Sequence, residues 1–422
     1  MKLAFFGYAW NAGGHLDGYM QEAVNAYLAL GFDVDVYLGN YFAEAATIGF
    51  KDAGLLRRLA DHIRAQDYAA AVSMNNSLIL AQIVDALDGR VVSVIVDGFN
   101  HHFRYEADRF AAFRLPVRFA PIGTQFEREI LAAVPDAAER VTFLTPATDG
   151  MHFPRAQTPL VYPISWIASL VTDERAETLM HKLMSDPRAY GVVRACLMAV
   201  AETGDLAEVM SVHGALISPV IEQVGFDFQS FEMLLQDMVT SRDRVEVVNR
   251  LAPHGLALFG NAAWAKAMVL SDTAFQAYKP GAAVSSHQEL LKIYNSSKLS
   301  VNLPQSFISE SFQYRVLDVM SSNALLVTRR TPEPDIYRVF GPDCPVVMYD
   351  SLAELEAVCA HHLAHEDERA AKVEACNALV TETFSFRSRA LDYLRLAGVD
   401  FEPSANPPAR GEARLLIDRS FA

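Results

Sequence analysis

Apolar residues near the amino terminus fall in short runs separated by polar loops. Residues 2–8 (KLAFFGY) suit a buried parallel strand, and 33–38 (DVDVYL) alternate as a second. Between them Met20, Val24, Tyr27 and Leu28 recur at helical spacing, which predicts an amphipathic helix. Gly31 stands where a left-handed cap would end it. Further strands are expected at 70–74, 91–96, 117–122 and 141–144, with enough chain between them for helices. Parallel neighbours need a crossover connection, so this alternation predicts a doubly wound sheet.

The rhythm breaks over 171–250, where Ala, Leu, Met and Glu dominate and Gly204 and Gly225 punctuate a helical stretch. It resumes beyond Ala252, with strands expected at 256–259, 299–303, 324–328 and 346–349. Ser286 and Glu289 form a capping box ahead of a helix that carries Leu290, Leu291 and Tyr294. The expected fold class is α/β, with two Rossmann-like domains facing across a cleft. The first spans 1–150 and the second 151–400, with a helical insertion at about 172–250. A tail, 401–422, follows a proline-bearing connection at 402–410 that reads as flexible. The insertion is expected to widen its domain by packing; a platform for an acceptor or for homo-oligomer formation is the other reading.

Composition narrows the functional classes. The chain has 422 residues, 51% of them apolar and 21% charged, which exceeds one core and excludes intrinsic disorder. Its 36 basic and 51 acidic residues leave a net charge of −15, a surface that repels nucleic-acid phosphates. No apolar run is long enough for a transmembrane segment, and residues 1–14 lack the pattern of a secretion signal. Cys196, Cys344, Cys359 and Cys376 show no CxxC spacing and read as reduced thiols, so a cytoplasmic location is expected.

Candidate chemistry lies at the strand ends. A dinucleotide fingerprint fails after the first strand, because Gly7 is followed by Tyr8, Ala9 and Trp10 before Gly13 and Gly14. The loop Gly13-Gly14-His15 still allows backbone amides to approach a ligand on the acceptor side; a turn needing positive φ is the plainer reading. Asp97 ends the strand at 91–96 and is followed by His101 and His102, where α/β folds place their chemistry. Asp97 is the first candidate for a general base and His101 the second, against a turn Asp that caps the next helix. Of His361, His362 and His365, only His361 and His365 share a helical face and no third ligand is apparent, so no metal is expected.

The stretch LLKIYNSSKLSVNLPQSFISESFQYRVLDVMSSNALLVTRR (290–330) resembles the donor-binding core of GT-B glycosyltransferases. It is most similar to the spore-maturation (CgeB-like) group, with its Tyr-Asn-x-Ser-Lys element, its Arg-Val-hydrophobic-acid helix and its Ala-Leu-Leu-hydrophobic-Thr strand. FGNAAW (259–264), YPISWIASL (162–170), the hinge-like ATDGMHFPR (147–155) and the closing helix TFSFRSRALDYL (383–394) extend the similarity. Asp318 stands where relatives usually have Glu, and Asn323 where Gly is common.

The resemblance implies a glycosyltransferase that needs no cofactor, and because no DxD element lies between apolar runs, metal independence is expected. A nucleotide-sugar would be the donor, and a glycan, a protein or a small molecule the acceptor. A nucleotide-sugar epimerase of the same fold and a non-catalytic nucleotide-sugar-binding relative stay as alternatives. It further implies a donor site of Gly260, Asn261, Tyr294, Arg315, Asp318 and Arg329, with Asp318 on the ribose hydroxyls and Arg315 on the diphosphate. An ordinary ion pair of Arg315 with Asp318 and a core position for Tyr294 are the plainer alternatives. Glu310 would contact the donor sugar from a helix beginning near Ser309 or Ser311.

Overall fold

The computed structural model describes residues 1–9, 15–42, 52–97, 113–155, 158–170, 174–203, 206–225, 228–279, 284, 286–305, 308, 310–404 and 409–421. The apolar runs of the amino-terminal part become β1 (Lys2–Gly7), β2 (Asp33–Leu38), β3 (Ala70–Met74), β4 (Val91–Ile95) and β5 (Arg118–Pro121). They alternate with α1 (Gly18–Ala29), α2 (Ala53–Ala65), α3 (Ala81–Ala86) and α4 (Thr124–Ala133). The side chains of Leu3, Phe5, Phe6, Val34, Val72, Val92 and Phe119 are buried because helices cover both faces of a parallel sheet. Residues 141–144 do not form the expected strand: a single bridge joins Val141 to Phe119 beside β5.

The second sheet comprises β6 (Tyr162–Ile167), β7 (Leu256–Phe259), β8 (Ser297–Asn302), β9 (Leu325–Arg329) and β10 (Val347–Tyr349). Between β6 and β7 run α5 (Glu174–Ser185), α6 (Pro187–Thr203), α7 (Leu206–Gln223) and α8 (Phe228–Leu251). This segment has its own core, in which Leu183, Val193, Cys196, Ile221, Phe231 and Leu235 pack together. The last turns of α8 leave that core and place Val247, Val248 and Leu251 against the sheet.

Helices α9 (Trp264–Leu270), α10 (Asp272–Ala277), α11 (His287–Asn295), α12 (Tyr314–Met320), α13 (Asp335–Phe340), α14 (Leu352–Ala364) and α15 (Glu366–Leu379) complete this half. The capping box of α11 forms as expected, with Ser286 Oγ accepting from Glu289 N–H and the Glu289 carboxylate accepting from Ser286 N–H. Helix α16 (Phe386–Leu396) crosses back, burying Phe386, Ala390, Tyr393 and Leu394 in the first core. The tail adds β11 (Ala413–Leu416), unforeseen from its sequence, parallel to β2 at the sheet edge.

The strand orders are β11-β2-β1-β3-β4-β5 and β10-β9-β8-β6-β7, with every pairing parallel. Setting β11 aside, each sheet follows the order 2-1-3-4-5, and its chain direction reverses at one point. Those switch points, β1/β3 and β6/β8, are where such sheets open a crevice at their carboxyl ends.

Candidate active site

At the β6/β8 switch point the loop after β6 is fixed first. Asn261 accepts from Leu170 N–H at 3.0 Å and donates to Leu170 O at 3.1 Å, and Trp264 Nε1 donates to Ala168 O at 2.6 Å. A Cβ on residue 260 would sit 2.2 Å from Ala168 O and 2.7 Å from the Trp264 ring, so only glycine fits. Gly260 and Asn261 thus shape the loop that borders the crevice, with the Asn261 side chain spent on backbone.

Arg244, on the buried face of α8, reaches that loop and donates to Ser169 O. It is 7% exposed, and its Nε has no hydrogen-bond partner among the described residues. Arg315, on α12 and only partly buried, carries a second Nε that is shut off from solvent and has no hydrogen-bond partner among the described residues. Burial, and then the neighbouring charge of Arg315, pull the Arg244 guanidinium down to about 10. A buried guanidinium beside a second positive charge is costly, a cost that Asp237 offsets in part and a bound anion would offset further. Nearby, Glu310 and Arg329 line one small cavity with Asn302 and Thr328, at the carboxyl ends of β8 and β9. Arg329 Nη1 lies 3.6 Å from Asp243 Oδ2. Arg330, beside it, faces solvent and pairs with Asp350 at 3.1 Å.

Three expected donor residues sit differently. Asp318 is wholly buried and accepts from Tyr19 Oη at 2.8 Å, Thr148 Oγ1 at 2.6 Å and His287 Nε2 at 2.8 Å. Its carboxylate is therefore committed to tying α1, the hinge and α11 together, and it presents no free oxygen to a ribose. Tyr294 fills the core with Leu290, Val316 and Leu317, so it offers no face for stacking. Glu310 precedes α12 rather than lying in its first turn, because the helix starts only at Tyr314 with Gln313 as its cap. Both Glu310 oxygens accept from Arg128 of the first domain, one at 2.6 Å.

The opposing edge belongs to the first sheet. Asn75 ends β3 with φ +47°, a left-handed conformation that Asn tolerates, and aims its amide across the β1/β3 switch point. Its Nδ2 donates to Asp97 Oδ2 at 2.8 Å and Tyr8 Oη at 3.0 Å, while its Oδ1 accepts from Val96 N–H at 2.9 Å. Burial, then the charges of Asp97 and Asp17, push the Tyr8 hydroxyl well above its ordinary value. Asp17 caps α1 by accepting from Met20 N–H at 2.9 Å, and burial raises its carboxyl. Of the other acceptor-side candidates, His15 is exposed. Gly13, Gly14, His101 and His102 lie outside the described residues.

Tyr8, Asn75 and Arg244 were not singled out from the sequence. The signal for Arg244 was its place in line with Val247, Val248 and Leu251 on one buried helical stripe, where a lone arginine is out of character. The signal for Asn75 was an Asn-Asn pair directly after an apolar strand.

Residues 240–395 match a family model described as glycosyl transferase-like, and the match includes Arg244, Arg315 and the whole second switch point except β6. The solved structure of Anabaena Alr3699/HepE in complex with UDP-glucose superposes with a TM-score of 0.52 at 9% identity, covering 94% of this chain and 99% of that one. The fold is that of the GT-B glycosyltransferases. Lower similarity is found to a glycosyltransferase from Rickettsia africae ESF-5, with a TM-score of 0.49, 9% identity and coverage of 94% and 98%. Sucrose-phosphate synthase from Thermosynechococcus elongatus gives 0.47 at 11% identity, with coverage of 94% and 98%. No curated protein matches the chain. In the GT-B arrangement two Rossmann-like sheets turn their carboxyl edges toward one cleft, and here those edges carry the Arg244–Arg315 pair and the Tyr8–Asn75–Asp97 group.

Proposed function

We propose that the protein is a glycosyltransferase that takes a nucleotide-activated sugar and passes the glycosyl group to a hydroxyl held by the first domain. The observation that carries this reading is the buried Arg244 guanidinium with the charge of the partly buried Arg315 beside it. Among the described residues neither Nε has a hydrogen-bond partner, and the two flank the switch point where the second sheet would receive a ligand. A diphosphate fits that need, since arginine forks match phosphate oxygens and the low-dielectric setting strengthens the contact. During transfer negative charge grows on the departing nucleotide diphosphate, and a preorganised cationic pair stabilises it with no rearrangement.

On the opposing edge Asp97 serves as the general base. Asn75 Nδ2 holds one of its oxygens in place, and in this reading the carboxylate takes the proton of an acceptor hydroxyl. The Tyr-Asn-x-Ser-Lys element at 294–298 and the helix that follows support a place near the CgeB-like group. Alr3699/HepE was solved with UDP-glucose, which makes uridine nucleotides the first probes.

Thermal melting with a panel of nucleoside diphosphates and nucleotide-sugars tests the donor site, because a ligand that binds only the folded chain raises its melting temperature. One nucleotide series is expected to give the rise, and Arg315→Ala or Arg244→Ala to abolish it. A full rise in both variants removes the arginine pair from the site. Asp97→Asn is expected to keep the donor-induced rise while lowering turnover by about 10²–10⁴-fold.

A further inference from the structure

Helix α14 starts beyond the carboxyl end of β10 and runs back to the opposite rim of the second sheet, away from the cleft. At its end it meets the first turn of α15. There Glu368 brings its carboxylate to both His361 and His362, a convergence invisible in the sequence because the acid belongs to the next helix. His361 Nε2 lies 2.9 Å from Glu368 Oε2, and His362 Nδ1 lies 3.8 Å from Glu368 Oε1. One donor atom from each of the three residues falls within 4.8 Å of the other two.

His362 is the telling member. It is 5% exposed, and its Nδ1 has no hydrogen-bond partner among the described residues. A buried imidazole nitrogen aimed at a carboxylate beyond hydrogen-bond reach is a poor arrangement for a purely structural histidine. Its acidic neighbours favour a cation, against the opposing positive charges of Arg369 and Lys372. Glu366, Asp367 and Glu368 fill the first turn of α15, and the carbonyl end of α14 adds a negative dipole. His365 donates Nδ1–H to His361 O at 2.8 Å, which leaves Nε2 with its lone pair, and its ring stacks on His361 with centroids 4.1 Å apart.

We propose that His361, His362 and Glu368 form a binding site for a divalent transition metal of the zinc type, remote from the cleft, that staples α14 to α15. Two imidazoles and a carboxylate suit zinc, and they discriminate against magnesium and calcium, which take oxygen donors. Bonds of about 2.1 Å in a tetrahedron require donor separations of about 3.4 Å, near the 2.9 and 3.8 Å that separate the two imidazole nitrogens from the two different oxygens of Glu368. The fourth position falls to water or to His365 Nε2.

The test uses the full chain, free of any histidine tag and stripped with a chelator, titrated with Zn²⁺ by calorimetry and followed by thermal melting. One equivalent per chain and a raised melting temperature are expected, with no response to Mg²⁺. Co²⁺ in place of Zn²⁺ is expected to give visible absorption bands of a four-coordinate site. His361→Ala and Glu368→Gln change side chains that are 48% and 45% exposed, so the metal-free variants are expected to melt like the parent. Each is expected to weaken Zn²⁺ binding by about tenfold or more. No stoichiometric binding by the parent, or equal binding by parent and both variants, overturns the site.

Discussion

Asp318 accepts three hydrogen bonds from three different parts of the chain, and one partner, His287, can change its charge. Burial works against the protonated imidazole, but the charge of Asp318 and its hydrogen bond, helped by Glu22 and Asp149, outweigh that and raise the His287 pKa above its ordinary value. Folding then binds a proton more tightly than the unfolded chain does. The stabilisation is fully present below the unfolded pKa of about 6.5 and is lost as the pH rises through the folded value. The melting temperature is therefore expected to fall as the pH rises above about 6.5, and His287→Gln, which still donates a hydrogen bond but does not titrate, is expected to flatten that fall. Equal slopes in the two proteins would assign the effect elsewhere. Tyr19→Phe, which removes a donor from the same carboxylate, is expected to cost about 1.5–3 kcal/mol in a denaturant titration.

At the scale of elements, the tail strand shows what holds the first sheet's edge. Arg414 on β11 makes a two-pronged contact with Asp35 of β2, at 2.9 and 2.8 Å, and Phe421 stacks on Tyr37. Burial would raise the Asp35 carboxyl, but Arg414, Tyr68 and Lys2 together hold it below the usual carboxylate range. Exposed pairs contribute about 0–1 kcal/mol, and breaking a buried pair costs about 3–5 kcal/mol. Asp35 is buried and Arg414 half exposed, so Arg414→Ala is expected to cost about 2 kcal/mol at neutral pH. A depressed carboxylate contributes above its unfolded pKa and loses that contribution as the pH falls through the folded one. The gap between variant and parent is thus expected to shrink below about pH 4, which melts across an acid series would reveal.

The same strand marks the limit of what the chain's pattern could tell. The central strands of both sheets were legible because burial on two faces makes each a continuous apolar run. β11 reads ARLL with only Leu416 buried, so an edge strand of that kind leaves almost no apolar signature. Residues 141–144 misled in the opposite way, since an alternating VTFL bears a strand pattern, yet it runs beside β5 with two backbone hydrogen bonds and a single bridge instead of a full ladder. Strand ends pointed to Asp97 and Arg329, and helix periodicity placed Arg315 and Asp318 on one face. Nothing local could show that Asp318 is claimed by Tyr19, 299 residues away, or that α8 delivers Arg244 to the same crevice. Such positions are set by tertiary packing, which a one-dimensional pattern does not encode.

On the scale of the whole molecule, two polar brackets join the halves across the cleft. The first is the Asp318 group at the hinge side. In the second, Asp335 of α13 caps the first turn of α4, accepting from Thr124 N–H at 2.8 Å and from its hydroxyl. Arg338 donates to Thr124 Oγ1 at 2.6 Å, and Arg128 grips Glu310. Gly123, just before α4, allows this approach: a Cβ there would fall 2.0 Å from Ser311 Cβ. The second bracket involves neither Arg244 nor Arg315. Joint replacement of Arg128 and Arg338 by Ala, both about half exposed, is therefore expected to leave the fold and donor-induced melting shift close to those of the parent. Acceptor and donor would then be held together less well. Because misplacement by about 1 Å can cost about 10²-fold in rate, turnover is expected to fall on the order of ten- to a hundredfold. The radius of gyration of the ligand-free double variant, measured by X-ray scattering, is expected to exceed that of the parent. If size and turnover both match the parent, the hinge-side bracket alone sets the arrangement of the domains.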